Sequence, residues 1–249
     1  MAITLKRVNA LPNMTTPVPP PLSSATASIS ISLPPLTMRA MVRQRINFGV
    51  PHLLSAAAFS RATKALEVKH QGEPFGPMWS DILAQATASV FTAVAGLESY
   101  ANELFADHRS IFPDVRPDLL KALWDVYEKR ALLDKFELAL SLKQLPGLDR
   151  KAVFHKDADL LIRLRNSLVH FKPEWPDEEE KHAALASELA KRFKPSPFTP
   201  TSPLFPMAWA SHSCTAWAVS TVLAFIKSFE QAAKIPGRID PFLPALADH

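Results

Sequence analysis

The residues of this chain best suited to chemistry lie in one short run. Arg165, Asn166 and His170 place a guanidinium, a carboxamide and an imidazole close together, at the end of the apolar stretch 160–164. A guanidinium binds phosphate through paired N–H donors, and an imidazole transfers protons near neutral pH. Holding a phosphate and moving a proton is the chemistry of RNA cleavage, so these three residues are the candidates for a catalytic site.

Helical geometry sets a condition on this site. On a helix over residues 157–170, Asn166 and His170 are four residues apart and share a face. Arg165 and His170 start about 140° apart around the axis, so they converge only if the last turn unwinds toward Pro173. Spacing alone also permits a structural interpretation, in which Arg165 pairs with an acidic neighbour and His170 favours the negative helix C-terminus.

The segment around these residues is basic, whereas the body of the chain is not. Residues 150–172 contain six Lys or Arg and two Asp, together with two His. Residues 1–66 carry a charge of +7 and residues 67–249 carry −3, so the net charge of +4 comes from the N-terminal segment. A basic patch in an acidic body is typical of a phosphate-binding groove, and Arg163 and Lys172 are its predicted substrate-binding residues.

Other chemical patterns are missing from the sequence. The histidines have no paired spacing, and there is no Gly-rich phosphate loop or Gly-x-Ser-x-Gly motif, so neither a metal nor a cofactor is predicted. The single Cys214 excludes a disulfide framework and favours a reducing, cytoplasmic setting. No run of about eighteen apolar residues lacks charge or punctuation, so no membrane-spanning helix is predicted.

From Pro51 onward, apolar periodicity predicts an all-α fold, an up-down helical bundle. Six glycines are too few for the tight turns of an all-β fold. Apolar residues recur at three- and four-residue steps in segments 53–66, 79–107, 118–129, 131–142, 157–170, 178–193 and 207–234. Asp157 or Asp159 would cap the helix at 157–170, and residues 195–206 form a proline-rich loop without regular structure. Glu98 and Asn102 either face the Arg/His run or lie at a solvated edge.

The composition divides the chain into three parts. Residues 1–45, with seven prolines in the first 37 positions, are predicted to be a disordered extension. Within it, the polar–apolar alternation of residues 27–33 would suit a short strand. Residues 46–236 form the predicted bundle, and residues 237–249 are a C-terminal tail.

The run from Leu164 to Phe171 resembles the Arg-x4–6-His signature of HEPN domains, with Asn166 as the polar residue that often follows the arginine. Residues 95–105 are similar to the second-helix segment of HEPN-like proteins, and residues 134–140 lie where those proteins have a comparable stretch. The resemblance covers about residues 50–234.

This resemblance implies a helical homodimer in which two Arg/His motifs meet in one cleft. Many HEPN proteins are metal-independent endoribonucleases of toxin–antitoxin, phage-defence or RNA-processing systems. By position, Arg165 would hold the scissile phosphate, His170 would act as general base or acid, and Asn166 would orient the phosphate or the imidazole. The attacking group would be the RNA 2′-hydroxyl. The implied partners are RNA, a second copy of the chain, and an antitoxin or defence-system protein.

The family also includes proteins that keep the fold without catalysis. The alternative function is therefore a catalytically inactive HEPN-like binding or dimerisation module. In that case Arg165 and His170 would only stabilise the end of the helix or an interface.

Overall fold

The computed structural model describes residues 45–173, 182–247 and 249, which form helices and turns without a strand. The all-α prediction is therefore confirmed. The helices of this part are α1 (Gly49–Lys69), α2 (Met78–Ala106), α3 (His108–Ile111), α4 (Pro117–Tyr127), α5 (Leu132–Leu142), α6 (Val153–Val169), α7 (Ala183–Leu189), α8 (His212–Ala233) and α9 (Leu243–Ala247). The predicted disordered extension, apart from Arg45, and its predicted strand lie outside the described residues.

The core is built around α2, which packs against α1, α5, α6 and α8. Most of its apolar stripe is buried, and Leu97, Ala101 and Leu104 are completely so. Phe136 of α5 joins this stripe to α8, because its ring meets those of Phe225 and Phe229 edge-on at centroid distances of 4.9 and 4.8 Å. α6 packs against both α2 and α8.

Small residues let α1 and α2 approach closely. Ser89 of α2 donates a hydrogen bond to the carbonyl oxygen of Ala56 in α1 at 2.9 Å. A Cβ atom added at Gly96 would lie 2.7 Å from Cδ2 and 3.2 Å from the backbone nitrogen of Leu53, which is fully buried. Position 96 therefore requires glycine for a packing reason.

The Gly96→Ala variant is expected to lose up to about 2 kcal/mol of unfolding free energy in urea denaturation. Alanine gains about 1 kcal/mol of helix propensity, but overpacking against an immobile side chain and backbone costs about 1–3 kcal/mol. Gly76→Ala is the control, because its nearest neighbouring atom is 3.5 Å away, and it should change stability by less than about 0.5 kcal/mol. A Gly96→Ala variant with a higher unfolding free energy than the wild-type chain would contradict the close approach of α1 and α2.

Several helix boundaries differ from those predicted. α6 starts at Val153 rather than Asp157, and neither Asp157 nor Asp159 caps it, because the chain enters the helix at Ala152 with extended backbone angles. α8 starts at His212, where the Ser211 hydroxyl accepts a hydrogen bond from the backbone N–H of Cys214 at 3.1 Å. The described part of the helix predicted at 178–193 is α7, which ends at Leu189.

Residues 195–203 lack regular secondary structure, as predicted, but the loop is packed against the body rather than structureless. Phe198 and Phe205 are buried, and residues 204–208 form an irregular helical turn. The backbone N–H of Ser196 donates to the carbonyl oxygen of Ala208 at 2.7 Å, which closes the loop on itself. This proline-rich segment is packed because the side chains of Phe198 and Phe205 anchor it to the body.

The C-terminal residues predicted as a tail also pack on the bundle. They contain a 3₁₀ turn at Asp240–Phe242 followed by α9. Ile239 and Leu246 are completely buried, and Arg61 of α1 donates a hydrogen bond to the carbonyl oxygen of Ala245 at 3.3 Å.

Within the described ranges, α2 is long and apolar enough to cross a membrane by length and composition, which the sequence analysis did not anticipate. One such helix is weak evidence for insertion. In this fold α2 is surrounded by α1, α5, α6 and α8, the position of a core helix.

Candidate functional site at the exposed face of α6

The predicted catalytic residues lie at the C-terminal end of α6, which remains helical through Val169. His170 is the C-cap, and its backbone N–H donates to the carbonyl oxygen of Asn166 at 2.9 Å. The last turn is therefore not unwound, and the backbone positions of Arg165 and His170 stay about 140° apart around the helix axis.

α6 has two faces of different character. Its exposed face carries five polar side chains that fall within an arc of about 80°: Lys156, Asp159, Arg163, Asn166 and His170. Its opposite face buries Ala158, Leu161 and Leu164 against the core. The predicted site residues are divided between these two faces, with Asn166 and His170 on the exposed one.

Arg165 lies on the packed side of α6, opposite α2. Its Nη2 is 4.0 Å from Oε2 of Glu98, and 29% of its side chain is exposed. Among the described residues, its Nε has no hydrogen-bond partner although it is buried. Glu98 thus faces the arginine of the motif, which was one of the two positions predicted for it.

Lys135 of α5 belongs to the same cluster and was not predicted from the sequence. Its Nζ donates to Oδ1 of Asn102 at 3.0 Å and lies 3.5 Å from Oε1 of Glu98, while only 2% of the side chain is exposed. The sequence feature that could have identified it is a lysine at a core-facing position, next to Phe136. Lys135, Glu98 and Arg165 therefore link α5, α2 and α6 through charges.

His170 is exposed and accessible. Its imidazole makes no hydrogen bond or ion pair with any side chain in the described part of the chain, and neither does Asn166. The neighbouring Phe171 stacks on His182 at a centroid distance of 5.7 Å and meets Phe205 edge-on at 6.1 Å. These contacts fix the chain just after His170 while leaving the imidazole available to a ligand.

The predicted substrate-binding residues differ in their surroundings. Arg163 forms a two-pronged ion pair with Glu188, at 2.9 and 3.0 Å. These hydrogen bonds raise the pKa of Arg163 and lower the pKa of Glu188. Lys172 is exposed and has no ion pair with the described residues.

The remaining basic residues of the predicted patch collect at the other end of α6. A cleft of about 400 Å³ lies between α6 and the residues that follow α7, and it is lined by Arg150, Lys156, Lys191 and Arg192. The last two come from a segment about 35 residues further along the chain than Lys156, so the sequence patch did not include them.

Metal-binding geometry is missing from the part of the chain that the structure describes. No three His, Cys, Asp or Glu side chains there lie close enough together to hold a metal ion. Cys214 is completely buried, and this burial raises the pKa of its thiol. The thiol therefore has neither access nor activation.

No protein-family model, curated protein or solved structure matches this chain, so its resemblance to HEPN domains rests on its own residues.

Proposed function

We propose that this chain is a HEPN-like, metal-independent endoribonuclease whose active site includes the exposed face of α6. The observation that supports the proposal is the environment of His170. Its imidazole is exposed, shares a face with Asn166, and has no intramolecular partner among the described residues. A buried or ion-paired imidazole would instead be committed to the fold.

The chemistry proceeds by intramolecular attack. His170 takes the proton of an RNA 2′-hydroxyl, whose oxygen attacks the adjacent phosphorus, and the P–O5′ bond breaks. A protonated imidazole then donates a proton to the departing 5′-oxygen, which leaves a 2′,3′-cyclic phosphate. Asn166 lies on the same face of α6, where its amide donates a hydrogen bond to a phosphate oxygen or orients the imidazole.

Arg165 stabilises the negative charge that develops on the phosphate. Within one chain its side chain leaves α6 on the packed side, so it does not share a face with His170. The proposal therefore includes a homodimer, in which a second copy brings its guanidinium close to His170.

A second candidate function is a HEPN-like binding or dimerisation module without catalysis. The contact between Arg165 and Glu98 favours it, because that contact gives the arginine a structural role in holding α6 on α2. The nuclease would act as a cytoplasmic toxin or defence effector that is held in check by an antitoxin or another defence-system protein.

The test is incubation of the purified full chain with end-labelled single-stranded RNA, with and without EDTA. We expect cleavage in both buffers and a 2′,3′-cyclic phosphate at the new 3′ end. DNA of the same sequence is the matched control and should stay intact, because it lacks the 2′-hydroxyl. RNA left intact in both buffers would contradict the nuclease and favour the second candidate, whether or not the RNA is bound.

A further inference from the structure

The basic cleft at the N-terminal half of α6 has no role in the chemistry described above. It is about 400 Å³ in volume, within the range of clefts that hold small ligands. Four cationic side chains line it, together with His155, Leu160 and two carboxylates. An anionic ligand would be attracted to the cleft only if these cations are not already paired within the fold.

Three of the four cationic side chains in the cleft form no ion pair with the described residues. In the ranges that the structure describes, the exposed side chains of Arg150, Lys156 and Lys191 have no hydrogen bond or ion pair. Only Arg192 is paired, through its Nε, with Asp157. Three cations held around one concave surface repel one another, and an anion relieves that repulsion.

The carboxylates of the cleft offset these charges only in part. Glu188 is engaged by both prongs of Arg163, which approaches from outside the cleft lining. Asp159 is the other carboxylate, and it has no short ion pair among the described residues. The cleft thus keeps an excess of positive charge that the fold does not use.

The backbone of α6 adds to this excess. The Ala152 side chain cannot cap the helix, and the N–H groups of Val153, Phe154 and His155 have no acceptor among the described residues. The first turn of a helix with free N–H groups attracts anions. His155 lines the cleft, so this helix end lies at its wall.

The cleft and the candidate catalytic residues share the exposed face of α6. Lys156, Arg163, Asn166 and His170 follow one another along this face. At 1.5 Å per residue, Lys156 and His170 are about 21 Å apart along the axis. Roughly six nucleotides of stacked strand cover that distance, at about 3.4 Å each.

We propose that this cleft binds backbone phosphates of single-stranded RNA several nucleotides away from the phosphate cleaved at His170. The inference rests on the proposed function, since it extends the substrate from a single phosphodiester to a strand lying along α6. Arg150, Lys156 and Lys191 each contact phosphate rather than bases, so this part of the site carries no sequence preference.

The experiment measures binding separately from cleavage. A fluorescent, fully 2′-O-methylated 12-nucleotide RNA, which cannot be cut by 2′-oxygen attack, is titrated with the full chain, and anisotropy is followed between 50 and 200 mM salt. The test variant is Arg150→Ala/Lys156→Ala/Lys191→Ala. The control variant, Arg109→Ala/Lys129→Ala/Lys227→Ala, removes the same number and type of exposed charges outside the cleft.

We expect the cleft variant to bind at least about tenfold more weakly at low salt. The slope of log affinity against log salt should fall in magnitude by about 2, since each lost phosphate contact to a single strand contributes about 0.7. The control variant should match the wild-type chain within about twofold. Equal weakening in both variants, or none in either, would overturn the inference.

Two further measurements separate the sources of failure. If the wild-type chain cleaves RNA but the cleft variant keeps the wild-type Kd, the cleft proposal alone is wrong. If binding depends on the cleft but RNA is not cleaved, only the proposed nuclease is wrong. Inorganic pyrophosphate serves as competitor. Full displacement of the RNA by micromolar pyrophosphate would assign the cleft to a small phosphate ligand and overturn the assignment to RNA.

Discussion

The His170→Ala variant is expected to cleave RNA about 10²–10⁴-fold more slowly than the wild-type chain, because it lacks the proposed proton-transfer group. Its melting temperature should not change. The side chain is exposed, and the backbone hydrogen bond that ends α6, from the N–H of residue 170 to the carbonyl oxygen of Asn166, is kept by alanine. Single-turnover cleavage and thermal unfolding followed by circular dichroism measure the two quantities.

Imidazole added to the buffer should restore part of the activity of His170→Ala, since the vacated position is open to solvent. A purely structural role would not respond to added imidazole. Val169→Ala, at the neighbouring exposed position, serves as the control and should cleave normally. Wild-type rates in His170→Ala would reject His170 as the proton-transfer group, and loss of helicity in that variant would indicate a structural residue.

The sequence predicted the existence of α6 but not its start. Apolar spacing is a local property, and it marked Leu160, Leu161, Leu164 and Leu168 as buried; the first three are buried, and Leu168 is partly buried against the core. The first turn has no side-chain cap, so it left no signal in the sequence. Asp157, a plausible N-cap by type, is instead engaged by Arg192 from a distant part of the chain.

The difference between local spacing and long-range packing also explains what could be predicted of the candidate site. The face shared by Asn166 and His170 follows from their spacing alone, and both are exposed. The side of α6 on which Arg165 lies also follows from spacing. Its partner on α2, however, depends on the packing of two helices that brings together residues 98 and 165. Lys191 joins the basic cleft through the fold of the segment after α7, which no local pattern encodes.

Replacing Arg165 with alanine is expected to slow RNA cleavage by about 10²–10³-fold, the usual cost of losing one donor that stabilises developing charge. Stability should fall by no more than about 1 kcal/mol, because the contact with Glu98 is long and partly exposed. Arg165→Lys should recover stability more fully than activity, since an ammonium keeps the charge but cannot contact two phosphate oxygens as a guanidinium does.

The contact with Glu98 decides which role of Arg165 dominates. Glu98→Gln removes the same ion pair from the other side while keeping the arginine. It also removes the ion pair of Glu98 with the buried Lys135, which keeps its hydrogen bond to Asn102. If Arg165 binds phosphate, Glu98→Gln should cleave RNA at least as fast as the wild-type chain, because a competing carboxylate has been removed. If Arg165 only holds α6 on α2, both single variants should lower the melting temperature, Glu98→Gln by more because it also removes the carboxylate beside Lys135. The double variant should then lose no more than Glu98→Gln alone. Cleavage rates and unfolding midpoints of these three variants therefore separate an arginine that acts on RNA from one that stabilises the bundle.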